Sequence, residues 1–242
     1  MENTTAYIIA AGIGSRLAEE NCGIKKSMVP ICGEPMLGRL IRLLDEAGFT
    51  SIRIITNEAN ADVADYVRAK AAELHSAKPD IFLKSTAGSM MSLFELLSRK
   101  NDYPFFLFTV DTVFRTDEFR NYVAYCKEHS DAYDSIIAVT GFIDDEKPLY
   151  VRTEGSRITA FCDEQFDCTK ITCGMYWFGG NVLPLLEKNI SQQKTRMRDF
   201  QRSLVTSGQK VGYYTFSKTI DVDHITDIAK AEQFINEEKA AK

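Results

Sequence analysis

The chain has 242 residues, 45% of them hydrophobic, and a formal net charge of −5 at pH 7. That is enough apolar material for a sizeable core in one or two domains. Both signs of charge are spread along the chain without a basic patch, which speaks against nucleic acid as a partner.

No stretch reaches the roughly 18 apolar residues of a membrane span, so no membrane is expected. The start, MENTTAYIIAAGIGSRL, lacks the basic segment and longer apolar core of a secretion signal. A cytoplasmic location is the expectation. Six cysteines (22, 32, 126, 162, 168 and 173) include no C-x-x-C pair. They are read as reduced thiols, not as zinc ligands or disulfides.

In chain order, Tyr7–Ala10 reads as a strand, and Leu37, Leu40, Ile41 and Leu44 recur at helical spacing before Gly48. Ile52–Thr56 is a strand. Val63, Val67, Ala71 and Leu74 mark a helix, Ile81–Lys84 a strand, and Met90–Leu97 a helix. The near-continuous apolar run Phe105–Val110 predicts a strand buried on both faces. A helix through Phe119, Tyr122, Val123 and Cys126 follows, then a strand at Ser135–Val139. This β-α-β-α order predicts an α/β fold with a doubly wound, mostly parallel, Rossmann-like sheet.

Beyond Phe142 the pieces Leu149–Arg152, Ile158–Phe161 and Ile171–Phe178 predict a small antiparallel, substrate-binding extension. Helices at 180–189 and 197–207, a strand at 211–216 and a helix at 226–237 close the chain. One domain is expected over 1–242, with halves at 1–141 and 142–242. The apolar surface around 142–178 is a candidate for pairing subunits into a homo-oligomer.

The loop AAGIGSRL (10–17) follows the first strand, at the sheet edge where ligands usually bind. Gly12 and Gly14 let backbone amides approach an anion, and Arg16 adds a fork of donors. Two familiar phosphate loops do not fit. The dinucleotide fingerprint needs a glycine where Leu17 stands, and GIKKS (23–27) lacks the preceding glycine of the Walker pattern.

A second segment, KKSMVPICGEPML (25–37), narrows the reading. Together with AAGIGSRL it resembles the signature of the sugar-1-phosphate nucleotidyltransferase superfamily, G-x-G-x-R followed by P-K-x-L-x-P-x-x-G-x-P-L. Lys26 falls on the family's lysine, Lys25 stands where a proline is usual, and Pro30, Gly33, Pro35 and Leu37 fit. STAGSMMSLFELL (85–97), FLFTVDTVF (106–114), TCGMYWF (172–178) and TIDVDHITDIAKAEQF (219–234) are similar to later family segments.

The resemblance implies transfer of a nucleotidyl group from a nucleoside triphosphate to a phosphate monoester, with release of pyrophosphate, as in nucleotide-sugar biosynthesis. It implies that Ala11, Gly12, Gly14, Ser15, Ala87, Gly88 and Ser89 bind the nucleotide, with Arg16 and Lys26 on its phosphates. Asp111 would hold Mg²⁺, completed by Asp221, Asp223 or both, which two-residue spacing puts on one side of a strand. Arg16, Lys26 and Asp111 are the candidate catalytic residues. His224 is read as a chain neighbour of the aspartates, not a ligand.

The resemblance implies a nucleotide-binding half at 1–141 and an acceptor-binding, metal-completing half at 142–242, with Asp163, Glu164, Lys170 and Gly174 as the acceptor candidates. Many sugar-nucleotide members carry Phe-x-Glu-Lys-Pro, whose lysine contacts the sugar phosphate. Here FCDEQF puts Glu164 at the lysine position. Either Lys170, Arg152 or Arg157 supplies the cation, or the acceptor differs. A sugar-1-phosphate is the first expectation. The paired acids of TIDVD look more like the cytidylyltransferases that act on phosphocholine or phosphonates. Asp221-Val-Asp223 is also the D-x-D of nucleotide-sugar glycosyltransferases, and a non-catalytic nucleotide-binding regulator is the remaining alternative.

Overall fold

The structure, a computed structural model, describes residues 4–12, 15–20 and 23–240, and at 15, 16, 18 and 239 the backbone alone. The elements in chain order are β1 (Thr5–Ala10), α1 (Ser15–Glu20), β2 (Pro30–Ile31), β3 (Glu34–Pro35), α2 (Met36–Glu46), β4 (Ser51–Thr56), α3 (Ala61–Ala71) and β5 (Lys78–Leu83). There follow α4 (Ser89–Arg99), β6 (Phe105–Thr109), β7 (Thr112–Val113), α5 (Thr116–Glu128), β8 (Ser135–Thr140), β9 (Tyr150–Glu154) and β10 (Arg157–Cys162). The chain ends with β11 (Lys170–Phe178), α6 (Leu183–Ser191), α7 (Met197–Thr206), β12 (Val211–Phe216), β13 (Ile220–Asp221) and α8 (Ile225–Ala240).

The α/β class is as expected, but the sheet is mixed. Among the described residues its order is β5-β4-β1-β6-β11-β8-β12-β10-β9. β5, β4, β1 and β6 run parallel, as do β8 and β12. β11 is antiparallel to both its neighbours, β6 and β8. The segment assigned to a peripheral extension therefore contributes a strand to the middle of the sheet. The reason is legible in β11: Met175–Phe178 is apolar without alternation and buried on both faces, which requires a covered position. β9 and β10 do form an antiparallel edge.

Alternation along the central strands divides the core. Ala6, Ile8 and Ala10 of β1 pack with Phe106, Phe108, Met175 and Trp177 beside α2 and α5. Tyr7, Ile9 and Ala11 face the other way, with Phe105, Leu107, Tyr176 and Phe178 beside α4, α6 and α7. A third cluster joins Leu17, Val29, Ile31 and Met36 to Val113, Ile220, Val222 and Phe234. It packs the early signature segment against the end of the chain. Leu74 lies beyond the end of α3 but packs against the first cluster. No described helix is long and apolar enough to cross a membrane.

Asp45 ties α2 to β5. Its carboxylate accepts from the backbone amides of His75, Ser76 and Ala77 at 2.8–2.9 Å and contacts His75 Nδ1 at 3.0 Å. Burial pushes this carboxyl up, but the amide donors and the His75 ring push it further down, to well below the usual range. A lowered folded pKa gives stability above the unfolded pKa that is lost as pH falls towards the folded one. Asp45→Ala should therefore cost about 2–4 kcal/mol at pH 7, from three stranded donors. The deficit should shrink as wild type is acidified below about pH 4. Urea unfolding of both proteins from pH 7 to pH 3 measures it.

Candidate active site

At the carboxyl ends of β1 and β6 lies an open cleft of about 490 Å³. Its lining includes Ala11, Gly12, Lys26, Ala87, Gly88, Ser89, Asp111 and Asp223, so segments far apart in sequence meet there. Gly14 and the side chains of Ser15 and Arg16 lie outside the described residues.

Lys26 starts a short 3-10 turn, Lys26–Met28. The turn is seated by buried Ser27 and Val29, and Met36 N donates back to Val29 O at 3.0 Å. Its Nζ donates to Asp111 Oδ2 at 2.5 Å and to Asp223 Oδ1 at 2.6 Å. Asp111 sits in the turn between β6 and β7, and Val222 N donates to its carbonyl at 3.0 Å. β7 and β13 pair antiparallel, Asp221 opposite Thr112. This pairing carries the late aspartates to Asp111.

The two late aspartates part company. β13 ends at Asp221, so they do not share a strand face. Asp223 lines the cleft and, with Asp221, an adjoining pocket of about 180 Å³, whereas Asp221 is absent from the cleft lining and accepts from Thr112 Oγ1 at 2.7 Å. Asp227 holds the backbone around Asp223 by accepting from Asp223 N at 3.2 Å and His224 N at 2.9 Å. His224 serves structure: its Nδ1 meets Glu20 Oε1 at 2.9 Å, linking α1 to the start of α8.

Burial pushes the Lys26 ammonium down, but Asp111 and then Asp223 raise it further, to a net increase. Burial raises Asp111, and Lys26 more than reverses that, leaving a lowered pKa. Asp221 is pushed up to about 7, first by burial and then by the charge of Asp111, against the Thr112 hydrogen bond.

The loop before α4 lines the same cleft. Thr86 and Ser92 share a hydrogen bond at 2.6 Å, and Ser92 N donates to Gly88 O at 3.1 Å. Met90 N donates to Thr195 O at 3.1 Å, and Met197 N to Ser89 Oγ at 3.1 Å. A Cβ on Gly88 would lie 2.5 Å from Thr195 O, so the approach of the two backbones needs glycine there.

The acceptor candidates lie apart from this cleft lining. Gly174 has φ +67, and a Cβ there would sit 2.2 Å from Thr109 Oγ1 and 2.6 Å from Thr112 Oγ1. Gly174→Ala should cost about 1–3 kcal/mol through strain and overpacking, and lower activity by moving the hydroxyl that holds Asp221. Thermal unfolding and turnover of the variant check both. Asp163 bridges Arg198 and Arg202, at 2.8 and 2.7 Å. Glu164 is exposed, and Lys170 Nζ lies 5.7 Å from the Tyr213 ring centre.

Sequence reasoning passed over the hydroxyls of Thr86, Ser92 and Thr109, which also line the cleft. All three fall inside segments singled out for other residues. Their signal was a small hydroxyl at a strand end for Thr109, in the loop before a helix for Thr86 and in the first turn of a helix for Ser92.

The family described as Nucleotidyl transferase matches residues 5–238. No curated protein sequence matches the chain. Among solved structures, the chain is similar to a putative glucose-1-phosphate thymidylyltransferase from Bacillus anthracis, with a TM-score of 0.82 and 17% identity over 96% of this chain and 94% of that one. It is similar to the inositol-1-phosphate CTP transferase from T. maritima, with a TM-score of 0.78 and 17% identity over 97% and 98%. A UDP-glucose pyrophosphorylase complexed with UDP-glucose gives 0.79 and 16% over 99% and 100%.

Proposed function

Because the chain belongs to the Nucleotidyl transferase family, we propose that its cleft joins a nucleoside triphosphate to a sugar-1-phosphate, giving a nucleoside diphosphate sugar and pyrophosphate. Family membership makes it a nucleotidyltransferase enzyme, which sets aside the glycosyltransferase and regulatory-domain alternatives. The observation that carries the reading is the meeting of Lys26, Asp111 and Asp223 in one cleft that Ala87–Ser89 also lines.

In this reaction an oxygen of the acceptor phosphate attacks the α-phosphorus, the bond from that phosphorus to the β-phosphate oxygen breaks, and pyrophosphate leaves with the bonding electrons. Both reactants are anionic, so the protein must align them and cancel charge. Lys26 holds a cation at the wall, with Arg16 for the leaving pyrophosphate. Gly12, Gly14, Ser15 and the loop 87–89 cradle the nucleotide through their backbone.

Asp111 and Asp223 fit a Mg²⁺ ion, since their oxygens already converge on one cation, the Lys26 ammonium. No group of three or more His, Cys, Asp or Glu forms a ready metal site among the described residues. Mg²⁺ is commonly held by one or two carboxylates together with water and substrate phosphates, and the pair supplies that share. Bound there, the ion would neutralise charge on the triphosphate.

One feature supports a sugar phosphate over phosphocholine: the negative charge of Asp163 is taken up by two guanidinium groups. The test is pyrophosphate release with CTP, UTP, GTP, dTTP and ATP, each with glucose 1-phosphate, inositol 1-phosphate and phosphocholine in Mg²⁺. Release with a sugar or inositol phosphate supports the reading. Release with phosphocholine alone overturns the acceptor, and no release in any pair overturns the reaction.

A further inference from the structure

Asp111 stands in the short turn between β6, which ends at Thr109, and β7, which starts at Thr112. The backbone of this turn is pinned from two sides. Val110 N donates to Ile9 O at 3.3 Å, and Val222 N donates to Asp111 O at 3.0 Å. Neither bond fixes the direction of the Asp111 carboxylate. Lys26 meets one of its oxygens, but from the end of a flexible stem.

The residues that flank the turn both carry hydroxyls, and these meet. Thr109 Oγ1 lies 3.1 Å from Thr112 Oγ1. Thr112 gives its one hydroxyl hydrogen to Asp221 Oδ1 at 2.7 Å, so within the pair Thr109 is the donor. The Thr109 hydroxyl also reaches the Asp111 carboxylate. One hydrogen thus stands between two acceptors, the neighbouring hydroxyl and the carboxylate.

The adjacent strand makes room for the pair. Met175 of β11 is in register with Phe108, and Gly174 precedes it. A Cβ at Gly174 would occupy the space of both oxygens, at 2.2 Å from Thr109 Oγ1 and 2.6 Å from Thr112 Oγ1. Valine has nearly the shape of threonine and suits a strand equally well. Packing alone therefore does not call for oxygen at 109 and 112, whereas the hydrogen bonds do.

We propose that Thr109 is a positioning residue for Asp111: its bond to Thr112 closes the turn that carries the carboxylate, and its contact with the carboxylate keeps that group turned into the cleft. The idea rests on the nucleotidyl-transfer reading for what Asp111 does there, not for how Asp111 is held. Thr109 itself lines the cleft, so a direct contact with the nucleotide would also lower activity. The test separates the two roles.

The experiment follows Mn²⁺ binding to the full chain by electron paramagnetic resonance, without acceptor, with CTP, UTP, GTP, dTTP and ATP added in turn. Steady-state pyrophosphate release is measured beside it. Thr109→Val removes the hydroxyl and nearly keeps the shape, so its melting temperature should stay within about 5 °C of wild type. Its Mn²⁺ dissociation constant should rise about 10-fold, the scale of losing a group that orients a metal-facing ligand. Turnover should fall with it, while KM for the nucleotide at saturating Mg²⁺ stays near wild type. Thr109→Ser, which restores the hydroxyl without the methyl, should recover both. In the Asp111→Asn background, Thr109→Val should cost no further Mn²⁺ affinity, because its effect passes through the carboxylate.

Wild-type Mn²⁺ affinity in Thr109→Val, or a serine variant as weak as the valine one, overturns the proposal. So does a loss that adds fully to that of Asp111→Asn, or a wild type that binds no Mn²⁺ with any nucleotide. A change confined to KM makes Thr109 a substrate contact and also overturns it. If Mn²⁺ binding behaves as expected but wild type releases no pyrophosphate, the positioning role stands and the reaction falls.

Discussion

Lys26→Ala is expected to lower turnover about 10²–10³-fold, the loss seen when a donor to a developing charge is removed. The side chain is only 10% exposed and lies between Asp111 and Asp223. Its removal takes away the cation facing the cleft and leaves Asp111 facing Asp223 unscreened. The metal-free variant should therefore also lose about 1–2 kcal/mol, a buried-pair loss discounted because Asp223 is 45% exposed. Mg²⁺ should recover part of that stability, since a cation returns between the carboxylates, but not the turnover. Steady-state rates together with melting curves with and without Mg²⁺ separate the two effects. Wild-type turnover in the variant would remove Lys26 from the chemistry.

Asp111→Asn should reduce turnover by a comparable factor of about 10²–10³. It keeps the shape of the side chain while removing its charge. The Mg²⁺ concentration needed for half-maximal rate should rise, because one of two carboxylates that can face the ion is lost. Lys26 should then titrate lower than in wild type, as burial remains and its stronger partner does not. Asp223→Asn should do less on both counts, being the more exposed partner. Rate against Mg²⁺ concentration for the two variants gives the order. If Asp111→Asn keeps the wild-type Mg²⁺ dependence, Asp111 is not a metal ligand.

Much of this was legible in the chain. Leu37, Leu40, Ile41 and Leu44 form the buried face of α2 as their spacing requires, and Phe105–Thr109 is a central strand. What was not legible came from distance along the chain or from a strand that stops early. Lys26 and Asp223 are 197 positions apart, and no local pattern announces their contact. Period-2 spacing put Asp221 and Asp223 on one side, but β13 ends at the first of them. Asp163 looked like a charge offered to a ligand. Its partners, Arg198 and Arg202, are on a helix that follows an intervening strand and helix. Charge patterning along the chain shows which charges exist, not which of them cancel.

The central position of β11 also bears on synthesis. Until Lys170–Phe178 has left the ribosome, β6 and β8 lack the strand that joins them, so two apolar edges, Phe105–Phe108 and Ile136–Val139, stay open. Such edges invite pairing with other chains. A nascent chain stalled just short of residue 170 would be a sticky half-sheet needing chaperone cover.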